Sequence, residues 1–101
     1  MKLKTLVKDK VMLILLDCGS SHSFVSSVFV ELAHVPTVPI PPRKVKLANE
    51  EWLTATSKVP DLQWYIQGNT LSHDMIVLDM SPYDAILGYD WLKINSPMQL
   101  D

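Results

Sequence analysis

The sequence of 101 residues has few of the residues that several common chemistries need. It has one cysteine, Cys18, so neither an intrachain disulfide nor a cysteine-rich metal cluster can form, which fits a reducing compartment. Its three glycines lie far apart, which excludes a glycine-rich phosphate loop. Its longest apolar runs have about six residues, whereas a membrane span needs roughly 20. We therefore expect a soluble, intracellular protein with no membrane partner.

Charge and histidine spacing exclude further classes of function. The formal net charge of −2 gives no sign of nucleic-acid binding by bulk electrostatics. His22, His34 and His73 stand at no metal-ligand spacing, and we expect each to be a surface or turn residue. The serines before His22 lack the nucleophile elbow of a serine hydrolase, and the surroundings of Cys18 do not suggest a cysteine nucleophile. A carboxylate remains as the candidate catalytic group.

The apolar and polar residues alternate with the period of β-strands along much of the chain. We predict one small, mostly β domain with about seven short strands and two short helices. One helix is capped by Ser26 or Ser27, and the other makes one or two turns over residues 90–94. Four prolines within residues 36–42 predict an extended surface connection, because neither a helix nor a central strand tolerates them. The predicted strands cover residues 3–7, 11–16, 45–47, 52–59, 62–66, 71–78 and 85–87.

The chain is organised around residues 11–25, which read VMLILLDCGSSHSFV. Six apolar residues run directly into Asp17 and Gly19, a pattern typical of a buried strand that enters a sharp turn. Such a turn would place the Asp17 carboxylate at the edge of the core, where water is scarce and an ionised acid needs a partner. The alternative is a solvated loop aspartate with no catalytic role, because Asp-x-Gly-Ser is short and common.

A single carboxylate cannot serve as general base and general acid at once, whereas two carboxylates that share one proton can. The chain contains one apolar-Asp-x-Gly-Ser sequence, at Asp17, and the second candidate, Asp90 in GYDWL, is followed by no glycine. A pair of carboxylates would therefore need two copies of the chain that meet at Asp17 across a twofold axis.

Two separated motifs, LLDCGSSHSFVS and YDAILGYDWL, resemble those of the retropepsin-like aspartic proteases of gypsy-type retrotransposon gag-pol polyproteins. They occur in the family's order, and the resemblance extends over nearly the whole chain. It implies a closed, barrel-like protomer that works as a homodimer on a polypeptide substrate, in the cytoplasm, within a polyprotein or particle. It implies no metal or organic cofactor. It also implies endopeptidase activity, in which water held between two Asp17 carboxylates attacks the scissile carbonyl.

The resemblance assigns roles to individual residues. Asp17 corresponds to the catalytic aspartate, and Cys18, Gly19 and Ser20 correspond to the rest of the active-site loop. The strand and glycine that pack beside this loop correspond to Ile86, Leu87 and Gly88.

The flap of the family, a hairpin that closes over the substrate, corresponds to residues 45–59. Its tip comprises Ala48, Asn49, Glu50, Glu51 and Trp52 and has no glycine. Tight hairpin turns favour Asn-Gly, so we expect a stiffer or differently shaped flap. We also expect the flap to be the most mobile ordered segment, with Trp52 anchoring it or lining the substrate groove. A core position for Trp52 is the alternative.

Cys18 departs from the family, which has Ser or Thr with a hydroxyl that bonds across the dimer. A thiol is a weaker donor and acceptor, which supports an alternative function: a catalytically degenerate or domesticated domain that serves as a dimerisation or peptide-binding module. A third interpretation is a redox-sensitive dimer, in which the two Cys18 Cα atoms would have to lie within about 7 Å. No closing strand is evident at residues 99–101, so we expect a single domain over residues 1–101 and leave open a truncation at its C-terminus.

Overall fold

Seven strands and two short helices make up this computed structural model, which describes residues 1–47 and 50–95. The predicted mostly β fold is confirmed. In chain order the elements are β1 (Lys2–Val7), β2 (Lys10–Leu16), β3 (Phe24–Ser26), α1 (Ser27–Leu32), β4 (Val38–Lys46), β5 (Trp52–Ile66), β6 (Asn69–Leu78), β7 (Ala85–Leu87) and α2 (Tyr89–Ile94).

Six of the strands close into a ring. The order β1-β2-β7-β3-β6-β5 is closed by an antiparallel contact between β5 and β1, where Leu6 pairs with Tyr65. The pairings β2–β7 and β3–β6 are parallel, and the others within the ring are antiparallel. Strand β4 pairs with β5 outside the ring. This arrangement confirms the expected barrel-like architecture and leaves no free sheet edge within the ring.

The first hairpin forms as the sequence alternation predicts. Thr5 and Val7 of β1 are buried together with Met12 and Ile14 of β2, while the lysines between them are exposed. Lys8 begins the turn with a left-handed φ of 56°. The hairpin therefore delivers β2, with one face in the core, to the loop that begins at Asp17.

The core consists of two clusters of buried side chains. The larger one is built around Trp64 and Trp91, whose ring centroids are 6.3 Å apart and whose side chains are almost fully buried. The smaller one contains Phe24, Ala55 and Leu78, and side chains of β4 and β5 pack over it. The smaller cluster thus lies beneath the hairpin formed by β4 and β5.

The proline-rich segment is a strand and not the simple connection that the sequence predicts. Strand β4 begins at Val38 and shifts its register against β5 between Pro39 and Arg43. Proline cannot donate a hydrogen bond to a neighbouring strand, and it is tolerated here because β4 lies at the edge of the sheet. The expectation of extended backbone with no central strand holds.

The predicted strands 52–59 and 62–66 form one continuous strand, β5, of 15 residues. A register shift against β6 between Val59 and Leu62 accommodates Pro60, and Asp61 takes a φ of 54°. The total of seven strands nevertheless agrees with the prediction, because β3 forms at a place where no strand was predicted. That strand has three residues, all buried, and is too short to show any alternation.

The two helices occur where they were predicted. Ser26 caps α1, because its hydroxyl accepts a hydrogen bond from the Phe29 amide. Helix α2 begins one residue before the predicted range, at Tyr89. Within residues 1–47 and 50–95, no helix has the length and hydropathy that a membrane span requires.

Candidate active site

Asp17 stands directly after β2, on a tight loop at the rim of the ring. Its amide donates to the carbonyl oxygen of Leu87 at 2.9 Å, and its own carbonyl accepts from the Ser20 amide at 3.1 Å. The Gly19 amide donates to Asp17 Oδ1 at 3.0 Å and so orients the carboxylate. The loop is therefore fixed by backbone hydrogen bonds on both sides of the carboxylate.

The carboxylate itself is in water, which corrects the expectation that Asp17 lies where water is scarce. Asp17, Cys18 and Gly19 are all exposed in the single chain, and Ser20 is half-buried. The reason is geometric: β2 ends at the rim, and the next residues turn outward from the core. Asp17 is nevertheless not an edge-strand residue, because β2 lies between β1 and β7.

Strand β7 and the glycine after it support the loop from below. Leu15 and Leu16 pair with Ile86 and Leu87, and Leu87 is fully buried. A Cβ atom on Gly88 would lie 2.6 Å from the carbonyl oxygen of Ser20, and closer still to that of His22. Only glycine fits between α2 and the loop at this position, which gives the Ile-Leu-Gly sequence a physical basis.

A polar network on the far side of the loop was not foreseen from the sequence. Ser23 Oγ donates to Asp90 Oδ1 at 2.7 Å and accepts from the Gly88 amide at 3.0 Å. Asp90 also accepts from the Trp91 amide at 2.8 Å, and its Oδ2 lies 3.0 Å from His73 Nε2. Burial alone would raise the pKa of Asp90, but the hydrogen bonds from His73, Ser23 and Trp91 together hold this pKa below the ordinary carboxyl value.

This network corrects the prediction for one histidine. His73 lies on β6, and its side chain is only 16% exposed, so it is neither a turn residue nor an open surface residue. Its partner Asp90 lies 17 residues away, and no short motif joins the two. The sequence carries one indication that Asp90 has a structural role: it lies in the first turn of α2, directly after Gly88 and Tyr89.

A second polar contact joins the loop to β4. Arg43 Nη2 lies 2.8 Å from His22 Nε2, and His22 Nδ1 lies 2.9 Å from Ser21 Oγ. A guanidinium group only donates, so Nε2 is the acceptor and the ring proton lies on Nδ1, facing Ser21.

A cleft of about 600 Å³ opens beside Asp17, between the loop and the hairpin of β4 and β5. One wall carries the loop residues Asp17, Gly19 and Ser20. Most of the other lining is apolar and comprises Leu15, Phe24, Val45, Leu47, Leu78, Met80 and Ile86. The cleft is therefore suited to apolar groups of a ligand.

The hairpin predicted as the flap is present, formed by β4 and β5. The Glu50 amide donates to the Leu47 carbonyl at 2.9 Å, and the Leu47 amide donates to the Glu51 carbonyl at 2.8 Å. Glu50 takes a left-handed φ of 68°, a conformation in which tight turns usually have glycine or asparagine. Two of the predicted tip residues, Ala48 and Asn49, lie outside the described residues.

Trp52 does not lie in the core, so that alternative is wrong. Its side chain is 61% exposed, and Lys46 Nζ lies 5.9 Å from the centroid of its ring. Lys46 also lies 3.9 Å from Glu50, although both side chains are largely exposed and such a pair contributes little stability. The contact with Lys46 is between the two arms of the hairpin, close to its turn.

Over residues 1–47 and 50–95, no three His, Cys, Asp or Glu residues are grouped so that they could hold a metal ion.

Comparisons with known proteins agree with this geometry. A family model described as retroviral aspartyl protease matches residues 2–100. No curated protein sequence matches the chain.

Several solved structures share the fold. The retroviral protease-like domain of Ddi1 from Leishmania major superposes with a TM-score of 0.74 at 14% identity, covering 99% of this chain and 79% of that one. The EIAV protease in complex with an inhibitor gives a TM-score of 0.71 at 18% identity, covering 100% and 91%. A foamy viral protease-reverse transcriptase in complex with double-stranded DNA gives 0.60 at 17% identity, covering 99% of this chain and 16% of that much longer one.

Proposed function

The chain belongs to the retroviral aspartyl protease family, and we propose that it is an aspartic endopeptidase that acts as a homodimer on polypeptide substrates. The observation that carries this proposal is the position of Asp17. It lies on a backbone-fixed loop at the rim of the ring, with its carboxylate exposed beside an apolar cleft. The loop residues Cys18, Gly19 and Ser20 would shape the site.

The exposure of Asp17 is what a half-site requires. In the single chain the carboxylate is exposed, and among residues 1–47 and 50–95 no second acid lines the cleft beside it. A twofold axis at the loop would bring two Asp17 carboxylates together and exclude most of the water around them. Two adjacent carboxylates repel each other when both are ionised, so the pair would hold one proton between them.

Catalysis then follows from the two protonation states. The ionised Asp17 accepts a proton from a water molecule, whose oxygen attacks the scissile carbonyl carbon. The protonated Asp17 of the other copy donates its proton to the carbonyl oxygen. The Gly19 amide, 3.0 Å from Asp17 Oδ1, holds each carboxylate in orientation during this exchange. Ile86, Leu87 and Gly88 would support the loop, and the hairpin of β4 and β5 would close over the substrate as a flap.

The setting that we propose is an intracellular retrotransposon gag-pol polyprotein or particle. The two sequence motifs support the retrotransposon origin, and the single cysteine fits a reducing compartment. Residues 1–101 would belong to a single protease domain.

A second candidate function is a dimerisation or peptide-binding module without catalysis. Two observations favour it: Cys18 occupies the position of the family hydroxyl residue, and Glu50 occupies a left-handed position in a turn where flexible flaps favour glycine. Such a module would retain the cleft but would not hydrolyse peptide bonds.

Cleavage of a peptide library at mildly acidic pH, read by mass spectrometry, separates the two functions. An endopeptidase gives new termini that disappear with a pepstatin-like inhibitor and in an Asp17→Asn variant. A module binds peptides from the same library without producing new termini. Sedimentation of both proteins at micromolar concentration serves as the control, because a strict monomer would contradict the endopeptidase and the dimerisation module and would leave only peptide binding.

A further inference from the structure

The apolar cleft continues into a polar end of about 310 Å³. This end lies between the loop residues Ser20, Ser21 and His22 and the last residues of β4. Phe24 and Val45 line both parts, so one extended peptide could occupy the two in succession.

The ionisable residues that line the polar end are all basic. They are Arg43, Lys44 and Lys46 from β4, together with His22 from the loop. The chain as a whole has a formal charge of −2, so this is a local concentration of positive charge beside the proposed catalytic loop.

Arg43 is the best placed of these groups. Side chains two residues apart on a strand share a face, so Arg43 lies on the same face of β4 as Val45, which packs on the smaller core cluster beneath the cleft. Its contact with His22 Nε2 holds the guanidinium against the loop and engages one of its five N–H donors. The planar fork that remains matches a carboxylate in a bidentate contact.

Carboxylates do border Arg43 on its other side, in a groove lined by Asp61, Asp74 and Asp90. Asp90 is held by Ser23 and His73, as described above. Asp74 accepts from the Asp61 amide at 2.7 Å and lies 3.5 Å from Lys58 Nζ. Asp74 and Asp90 are thus engaged with other partners, and none of the three lines the polar end of the cleft.

We propose that this end of the cleft is a subsite for an acidic side chain, with Arg43 as its specificity-determining residue. The inference rests on the proposed function and specifies its substrate. The preferred peptide has a bulky apolar residue at the cleaved bond and Asp or Glu two residues away. The spacing of two follows because alternate side chains of an extended peptide point the same way, about 6.6 Å apart.

The test uses three peptides that share a cleavable apolar pair and differ at the position two residues away, which is Glu, Gln or Lys. Assays run near pH 6, where glutamate is ionised. For the wild-type protein we expect KM to rise on the order of fivefold from Glu to Gln, and further for Lys, with kcat little changed, as for a partly exposed ion pair. Added salt should reduce the difference.

Variants of Arg43 give the decisive comparison. Arg43→Gln should abolish the preference for Glu, and Arg43→Glu should make the Lys peptide the better substrate. Lys10→Glu is the matched control, because it makes the same charge change on an exposed residue at the opposite end of β2 from the loop. This control should keep the wild-type order of the three peptides.

Peptide binding by the Asp17→Asn protein separates the failure of this inference from the failure of the proposed function. If the wild type cleaves all three peptides with equal KM, the acidic subsite is refuted and the protease stands. If no peptide is cleaved, the dissociation constants still decide: a Glu preference that Arg43→Gln removes supports the subsite in a binding module. Equal dissociation constants for the three peptides would overturn the acidic subsite.

Discussion

His73 Nε2 lies 3.0 Å from Asp90 Oδ2, and this pair joins β6 to the helix that supports the active-site loop. Asp90 in turn accepts from Ser23, which holds the Gly88 amide. The three side chains therefore connect β6 and α2 to the residue directly before β3, behind the loop that carries Asp17. Their effect should be visible in stability and in its pH dependence.

Asp90→Asn should lower the free energy of unfolding at pH 7 by about 1–3 kcal/mol, because it removes the charge from several hydrogen bonds. The pKa of Asp90 in the folded protein lies below the ordinary carboxyl value. Its contribution is therefore present above about pH 4 and is lost as pH falls through the folded pKa. Urea unfolding of both proteins at pH 7 and pH 3 measures this, and the gap should shrink at pH 3. Asp9→Asn, in the exposed first turn, is the control, and a gap independent of pH would contradict the assignment.

Asp17→Asn should reduce cleavage by about 10³-fold or more, as expected when a member of a cooperating catalytic pair is lost. Its effect on the free energy of unfolding should stay within about 0.5 kcal/mol, because Asp17 is exposed. Kinetics with a cleavable peptide and urea unfolding check the two parts. A large loss of stability would indicate a structural aspartate instead.

Gly88→Ala should destabilise the protein by about 3 kcal/mol or more, because the new methyl group collides with backbone carbonyls of the loop that have no room to move. Gly68→Ala is the matched comparison. It has open space around its Cβ position but a φ of 81°, so its effect should be about 1–2 kcal/mol, from backbone strain alone. Equal melting temperatures for the two variants would contradict the close packing at Gly88.

Glu50→Gly should relax the turn of the β4–β5 hairpin, since glycine adopts a φ of 68° without the penalty of about 1 kcal/mol that a side chain incurs. Glu50→Ala keeps that penalty and is the control for loss of the carboxylate. Hydrogen exchange at the Leu47 and Glu50 amides should slow in the glycine variant and not in the alanine variant.

In the wild type, we expect protection over residues 50–52 to be lower than over residues 11–16, as for a mobile flap.

Cys18→Ser or Cys18→Thr should tighten the proposed dimer. A hydroxyl makes a stronger hydrogen bond than a thiol, and a neutral bond contributes about 0.5–1.5 kcal/mol. The contact would occur twice by symmetry, so the dimer dissociation constant should fall on the order of tenfold to a hundredfold. Sedimentation equilibrium under reducing conditions measures it, with Cys18→Ala as the control. Equal dimer dissociation constants for all variants would indicate that residue 18 acts only as a small apolar residue. They would contradict a hydrogen bond from this position across the dimer.

Much of the fold could be predicted because its signals are local. The apolar run before Asp17 and the short Ile-Leu-Gly segment each predict a strand, and the alternation of β1 predicts which of its faces is buried. Pro60 and Asp61 predict a break in the strand, because proline and aspartate are disfavoured within strands. The long pairing of β5 with β6 carries the strand through it.

The missed features depend on partners that are distant in sequence. His73 and Asp90 belong to no common motif, and they meet only because β6 and α2 pack on the same side of the loop. Whether Asp17 is exposed depends on which residues pack over the rim of the ring. The sequence around Asp17 does not specify those residues. The contact between His22 and Arg43 likewise requires the path of β4 over the loop.

The support for the active-site loop comes from the opposite end of the chain. Ile14 pairs with Ala85, about 70 residues later, and Gly88 and Tyr89 then close against the loop. During synthesis at 5–20 residues per second, β2 would wait roughly 4–14 s for this partner to be made. A nascent chain therefore contains Asp17 for seconds before its loop can be fixed by β7 and Gly88. The proposed active site cannot form until translation has passed α2.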